Sequence, residues 1–235
     1  MRKFLIICII SCCCIAKTNA QFNEHPIVNL ENFDKQPVHW GYFLGFNQYD
    51  FKFNYYNNNP SGRTAIQTAK SLGFNVGLIG NLRINEFFDL RLEPGLYYTK
   101  RQLYFPGFTD EADYLREVNS TYIHVPLLLK AGMKRFGNFK PYLVGGVSTS
   151  LNLGSMEDSI DDNESGTFRM KKNTYYYEVG FGIDFYLEYF KFSPSIRGVF
   201  AMNSELVPDE NPNSAWTSNI AGLYTRGIFI NFTFE

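Results

Sequence analysis

Cysteine is absent from most of this chain. The four cysteines all lie near the N-terminus, at Cys8, Cys12, Cys13 and Cys14. Residues 1–20 open with a short positive stretch, continue with an apolar run and end in the small-residue triplet "TNA", a pattern that predicts a secretory signal peptide cleaved after Ala20. Residues 21–235 contain no cysteine, which excludes disulfides and thiolate metal sites from them. As an alternative, "IISC" loosely fits a lipoprotein box, which would keep Cys12 as a lipidated N-terminus.

Long apolar runs and a strong charge of either sign are also missing. Beyond the signal segment no stretch of 18 residues is apolar, so no membrane-spanning helix is predicted. The formal net charge of -1 provides no basic field for nucleic acid. Aromatic residues, in contrast, make up 17% of the chain, with 16 Tyr and 23 Phe. Aromatics in alternating runs favour an all-β protein, and the length fits one domain.

Eight segments alternate between apolar and other residues, as β-strands do. They are residues 38–53, 72–84, 88–100, 122–134, 139–153, 174–187, 190–202 and 226–235. In the first segment the apolar face runs from Trp40 to Phe46 and then changes parity to Tyr49, Phe51 and Phe53, which predicts a β-bulge.

The connections between these segments alternate in length. Three are short ("NE", "RFGN" and "EY"), whereas the other four span roughly 15 to 20 residues each. This alternation predicts an eight-stranded antiparallel up-and-down transmembrane β-barrel with short periplasmic turns and four long outer loops. The barrel domain would comprise residues 38–235. Residues 21–37 would form a periplasmic N-terminal leader that is disordered, serves as a docking strap or folds under the barrel floor.

Charged residues lie on the face opposite the aliphatic side chains. In a membrane barrel that face points inward, and eight strands leave an interior that side chains fill. We therefore predict a network of ion pairs in the lumen. Its members would be Asp50, Lys52, Arg83, Asp89, Arg91, Glu93, Lys130, Glu178, Asp184 and Arg197.

The last segment, "RGIFINFTFE", should pair with the first, because closure removes both sheet edges. Its aromatics Phe232 and Phe234 are similar to the C-terminal signal that the barrel assembly machinery recognises. The match is imperfect, since Glu235 follows the final aromatic residue.

Evidence for catalysis is weak. His25, His39 and His124 are the histidines of the chain. A lipid-modifying barrel enzyme would need inward-facing His124 and a hydroxyl at the rim, but a lone inward histidine is usually a hydrogen-bonded lumen residue. The motifs G-x-S-x-G and H-E-x-x-H are absent. The acidic stretch "EDSIDDNES" lacks the spacing of a calcium loop, and "TDEADYLREV", with Thr109 as cap, predicts one or two helical turns in a loop. We expect a non-enzyme with no catalytic, cofactor or metal site.

Four stretches resemble a known family. They are "NFDKQPVHWGYFLGFNQYDFKF", "YIHVPLLLKAG", "VGFGIDFYLEYFKFSPSIRG" and "INFTFE", and together they resemble the PorT family of the Bacteroidota, called SprT in gliding bacteria. The resemblance implies a component or assembly factor of the type IX secretion system, which exports cargo with C-terminal signals and supports gliding motility. It also implies outer-membrane lipid, the barrel assembly machinery and other type IX proteins as partners. A general structural or adhesive OmpX-like barrel is the alternative.

Overall fold

The structure, a computed structural model, describes residues 27–56, 66–105, 108, 110–157, 168–214 and 216–235. The predicted signal peptide, Thr109 and nearly all of the acidic stretch lie outside them. The described strands are β1 (Val38–Tyr55), β2 (Gln67–Lys70), β3 (Leu72–Arg83), β4 (Phe88–Leu92), β5 (Gly95–Tyr104), β6 (Leu115–Gly132), β7 (Phe139–Asn152), β8 (Asn173–Tyr186), β9 (Lys191–Ala201) and β10 (Ile220–Phe234). A 3-10 turn covers Phe33–Lys35, and one short helix, α1, covers Glu111–Tyr114.

The strands pair in a ring. Every pairing is antiparallel, and β1 pairs with β10 on one side and with β3 on the other. From β10 the order runs through β9, β8, β7 and β6 to β4 and β5, which return to β3. The all-β, antiparallel, up-and-down prediction is confirmed. The predicted number of strands corresponds to a ring of eight, in which β2 with β3 and β4 with β5 each take one place.

Single residues interrupt two of the eight ring positions, so that each of these positions consists of two strands. Pro94 separates β4 from β5 and has no N–H to donate to the ladder. Its carbonyl still accepts the N–H of Leu78, at 2.9 Å. Ser71 separates β2 from β3, and its hydroxyl donates to the carbonyl of Lys100. At each interruption, a hydrogen bond to the adjacent strand is therefore kept, from Pro94 to β3 and from Ser71 to β5.

Alternation gives the ring an outer and an inner face. In β8, Tyr175, Val179 and Phe181 are exposed, whereas Tyr176 and Glu178 between them are buried. Along β6 and the residue that follows it, the outward apolar positions extend from Ile123 to Met133. At about 3.3 Å per residue and a tilt of about 40°, they form a band about 25 Å tall, which matches the hydrocarbon layer seen by outer-membrane barrels.

The predicted bulge in β1 is absent. The register between β1 and β10 is continuous from Tyr42 opposite Phe234 to Phe53 opposite Leu223, and it shifts only after Asn54. Tyr49 and Phe51 are therefore buried in the interior. The apolar side chains change faces without a change in backbone parity, because the interior is itself apolar near the long connections.

The strands are longer than predicted, at the expense of the loops. Residues 67–70, 101–104 and 115–121 form strand that the sequence assigned to connections. The alternation in connection length holds, with short turns at 84–87, 133–138 and 187–190 at one end of the ring. We call this the short-turn end and the opposite one the long-loop end.

Candidate functional site

The most distinctive feature of the interior is a set of buried charges. One pair joins β6 to β8, where the Lys130 ammonium lies 2.8 and 2.6 Å from the two carboxylate oxygens of Asp184. Ser193 of β9 donates to the same carboxylate at 2.6 Å. The ammonium also lies 4.0 Å from the ring centre of Tyr142. Three strands and an aromatic face therefore hold this pair away from water.

A second group lies beside it at the end of β10. The Glu235 side chain turns into the interior and accepts from Arg91 at 2.7 Å and from Lys191 at 2.8 Å. Arg91 also reaches Glu93, at 3.4 Å, and the Asn81 amide oxygen, at 3.1 Å. The last described residue is thus linked to β4 and β9 from inside the ring.

A third group extends the network toward the middle of the interior. Arg197 forms ion pairs with Glu93 at 2.8 Å and with Glu178 at 3.5 Å. Glu178 lies 2.7 Å from Nε2 of His124, and the other ring nitrogen of His124 lies 3.3 Å from the Ser150 hydroxyl. One continuous chain of contacts therefore crosses the interior, from Lys191 through Glu235, Arg91, Glu93, Arg197 and Glu178 to His124.

Six of the ten predicted network residues meet in this interior. They are Arg91, Glu93, Lys130, Glu178, Asp184 and Arg197. Arg83 and Asp89 lie opposite each other in β3 and β4, half-buried at the short-turn end. Asp50 and Lys52 lie on the outer face, contrary to the prediction, because the bulge that would have turned them inward is absent.

Sequence reasoning missed two members of the network. Lys191 shares the inward parity of Ser193 and Arg197, and Glu235 shares that of Asn231 and Thr233. Strand parity was thus a sufficient signal for both. With them, the network comprises four cations and four carboxylates, besides His124. They form the Lys130–Asp184 pair and the chain of contacts that begins at Lys191.

The short-turn end of the ring is covered by residues 27–37, which we call the leader. The Asn29 N–H donates to the Asn138 side-chain oxygen at 2.9 Å, and the Asn138 amide donates to the Ile27 carbonyl at 2.8 Å. Arg135 donates to the carbonyls of Asn29 and Leu30. Residues 27–37 thus fold against the short-turn end, whereas residues 21–26 of the predicted leader lie outside the described part of the chain.

An aromatic side chain completes this floor. Phe33 stacks on the ring of His39 with 4.3 Å between centroids, and the Lys191 ammonium lies 4.7 Å from the Phe33 centroid. The Tyr186 hydroxyl donates to Asp34 at 2.7 Å. The charged network is therefore shielded by an apolar ring on the side facing the leader.

The long-loop end is closed by apolar side chains. The connection between β7 and β8 provides Phe168 and Met170, and that between β9 and β10 provides Leu206 and Trp216. All four pack against strand residues such as Phe51. Met170 and Leu206 also pair through their backbones. We call this cluster the apolar cap.

Beneath the cap lies a separate polar group, in which Glu205 and Arg101 both contact Thr225. The Glu205 carboxylate accepts from the N–H and hydroxyl of Thr225, at 3.1 and 3.0 Å. Arg101 donates to the Thr225 hydroxyl at 3.1 Å and to the Tyr122 hydroxyl at 2.6 Å. Burial raises the pKa of Glu205, with Arg101 and the hydrogen bonds of Thr225 acting in the opposite direction.

His124 has partners that resemble a hydrolase triad, since a serine and a carboxylate flank its ring. All three are buried, however, at 0% exposure for His124, 1% for Ser150 and 3% for Glu178. The carboxylate also faces Arg197. The site lies deep within the ring, so it offers no rim hydroxyl to a lipid. Among the described residues no group of three or more His, Cys, Asp or Glu could hold a metal ion.

The comparisons with known proteins address the family of this chain. Residues 19–207 match the profile of the outer membrane protein beta-barrel domain family. The chain belongs to this family. Membership places it in the outer membrane, in contact with membrane lipid. No helix in the described part of this family member is long and apolar enough to cross a membrane.

Solved structures of outer-membrane proteins are similar to this family member. OprG from Pseudomonas aeruginosa shares 14% identity over 84% of this chain and 93% of its own, with a TM-score of 0.46. Neisserial surface protein A shares 10% identity over 84% and 98%, also at 0.46. Ail of Yersinia pestis shares 9% identity over 85% and 99%, at 0.39. Among curated protein sequences none matches the chain significantly.

Proposed function

We propose that this protein is a closed, non-conducting outer-membrane barrel that acts in type IX protein secretion through contacts at its two ends. The observation that supports a non-conducting barrel is its filled interior, where paired charges lie between the leader and the apolar cap. Eight strands leave room only for side chains, and here those side chains contact one another directly. Cargo therefore does not pass through this barrel, and any part in secretion is that of a component or assembly factor.

The secretion role itself is supported by the resemblance of four sequence stretches to the PorT family. The orientation is supported by the general rule for such barrels, in which short turns face the periplasm and long loops face outward. The leader, which follows the predicted signal peptide, then contacts the periplasm. The buried His124 supports a non-enzymatic role.

Gene deletion tests this role. We expect loss of surface export for a reporter that carries a type IX C-terminal signal, with restoration by the wild-type gene in trans. A second reporter that reaches the outer membrane without that signal serves as the control and should be unaffected. Normal export of the first reporter in a strain that lacks the barrel would instead favour a general structural or adhesive barrel.

A further inference from the structure

The outer face carries a row of side chains that the secretion role does not use. Tyr177, Phe200, Arg226 and Asp50 lie directly opposite one another on β8, β9, β10 and β1. Tyr177 and Phe200 stack with 5.0 Å between their centroids. Aromatic rings therefore adjoin a charged cluster on four successive strands.

Cations are in excess in this cluster. Arg226 donates to Oδ2 of Asp50 at 3.1 and 2.9 Å, and the Lys70 ammonium lies 3.1 Å from the same oxygen. Lys52 is exposed two residues further along β1. Asp50 is the one acidic side chain among the described residues that line this surface, so the cluster carries two uncompensated positive charges. The Arg226 and Lys70 side chains are 53% and 43% exposed, which leaves both open to a ligand.

The cluster borders a groove rather than a flat surface. A cavity of about 450 Å³ is lined by Lys52, Tyr177, Phe200, Tyr224 and Arg226, among others. A second cavity, of about 280 Å³, continues from Arg226 and Lys70 along Gly198, Gly227 and Ile228. Gly198 has no side chain of its own, and the Phe200 ring lies over it, 3.0 Å from the position of a Cβ. The Phe200 ring and Ile228 give this cavity an apolar wall. One end of the groove is thus cationic and the other is apolar.

The groove lies at the border of the apolar band. Outward residues of β10 are apolar from Phe234 to Ile228, and Arg226 follows; those of β1 are apolar from Trp40 to Phe46 and polar afterwards. This is the level at which lipid phosphates meet acyl chains, and aromatic residues concentrate there.

We propose that this groove binds an anionic lipid of the outer leaflet, with Arg226, Lys52 and Lys70 on its phosphate and an acyl chain along Gly198 and Ile228. Arginine and lysine are the side chains that pair best with phosphate oxygens. The leaflet follows from the orientation proposed above, but the site is independent of any role in secretion. Loss of lipid binding and loss of export are therefore separate outcomes.

The test uses the purified full-length barrel in a neutral detergent with bis-phosphorylated lipid A, and lipid retention is read by native mass spectrometry. We expect Arg226→Gln and Lys52→Gln each to weaken retention about fivefold. Lys100→Gln is the matched control, because Lys100 is a similarly exposed cation at the same border that pairs with Glu117 at 2.9 Å. It should leave retention unchanged. The gel mobility of unheated samples checks that every variant is folded.

Two further experiments test whether the phosphate and the acyl chain of the lipid are both required for binding. Lipid A without phosphates should be retained no better by the wild type than by Arg226→Gln. Inorganic phosphate at the same molar concentration should not displace the lipid, because it lacks the acyl chain. Equal retention of phosphorylated and phosphate-free lipid, equal effects of the Lys100 and Arg226 variants, or displacement by free phosphate would each overturn the proposal.

Discussion

At the scale of single residues, the interior charges depend on their partners more than on their own chemistry. A buried charge is tolerated when it is paired, and removal of one partner leaves the other uncompensated. Lys130 and Asp184 are 1% and 2% exposed at their side chains, so neither can recover its hydration in the folded protein. Their contribution is consequently measurable only by changing both.

Lys130→Met should destabilise the folded barrel by about 3–5 kcal/mol, because it leaves the Asp184 carboxylate buried without its cation. The double variant Lys130→Met with Asp184→Asn should recover most of this loss, since an amide oxygen can still accept from Ser193. Urea unfolding in detergent micelles, followed by tryptophan fluorescence, measures both. A double variant as unstable as the single one would contradict this account.

Glu205 should make stability depend on pH. Its pKa in the folded state is raised above the ordinary 4.5, so the folded state holds this proton more tightly than the unfolded state. The corresponding stability is present below pH 4.5 and is lost as pH rises through the raised pKa. The stability of Glu205→Gln relative to wild type should therefore increase from pH 4 upward, as measured by urea unfolding at several pH values. A difference that stays constant or decreases would contradict the assignment.

Strand parity identified from the sequence six of the eight charged residues in the interior network. It succeeded for Lys130 and Asp184 because their neighbours alternate without interruption. It failed for Asp50 and Lys52, since it assumed that aromatic side chains must face lipid. Tyr49 and Phe51 instead fill the interior near Arg101, which lies 3.9 Å from the Phe51 ring centre. Such long-range packing leaves no local signal in the sequence.

At the scale of elements, the leader behaves as part of the fold. It contacts the turn that joins β6 to β7 through Asn138 and Arg135, which lie more than a hundred residues away along the chain. The sequence indicated that this segment is polar and precedes the first strand. It could not choose between a disordered and a docked leader, because the docking partners lie in distant turns.

Asn138→Ala should loosen the leader, because it removes the hydrogen bonds to Ile27 and Asn29. Two such bonds contribute about 1–3 kcal/mol, so trypsin cleavage after exposed Lys35 should become roughly tenfold faster through local opening. Mass spectrometry of brief digests of the folded protein measures this rate.

Asn85→Ala is the matched control for that variant. Asn85 lies in a different short turn, where its side chain accepts only from Phe87 and Phe88 among the hydrogen bonds described for it. The leader of this variant should stay protected. If Asn138→Ala is cut at the wild-type rate, the hydrogen bonds of Asn138 contribute little to holding the leader against the short-turn end.

At the scale of the whole molecule, the ring of pairings should govern behaviour in detergent and in bilayers. The described strands pair in a ring of eight, and backbone groups within a bilayer must be satisfied inside the protein, so unheated samples should migrate differently from boiled ones on a gel. Planar bilayers with the purified protein should show no stable conductance steps, because paired side chains fill the interior. Identical migration would argue against closure, and large steps or sugar leakage from liposomes would argue against the filled interior.

The same ring has a consequence for the order of events in folding. Arg91 and Glu235 are 144 residues apart along the chain, and their contact requires that β10 has joined β1. Until then the interior charges remain hydrated because the surrounding wall is incomplete, even where both partners, such as Lys130 of β6 and Asp184 of β8, precede β10 in the chain. Closure of the ring and dehydration of the interior side chains therefore occur in one step. That step is slow because it depends on contacts between residues far apart along the chain. Pairing of the final strand is therefore the slow step of assembly. A chain in which β10 has not paired with β1 is an open sheet with two free edges and hydrated interior charges.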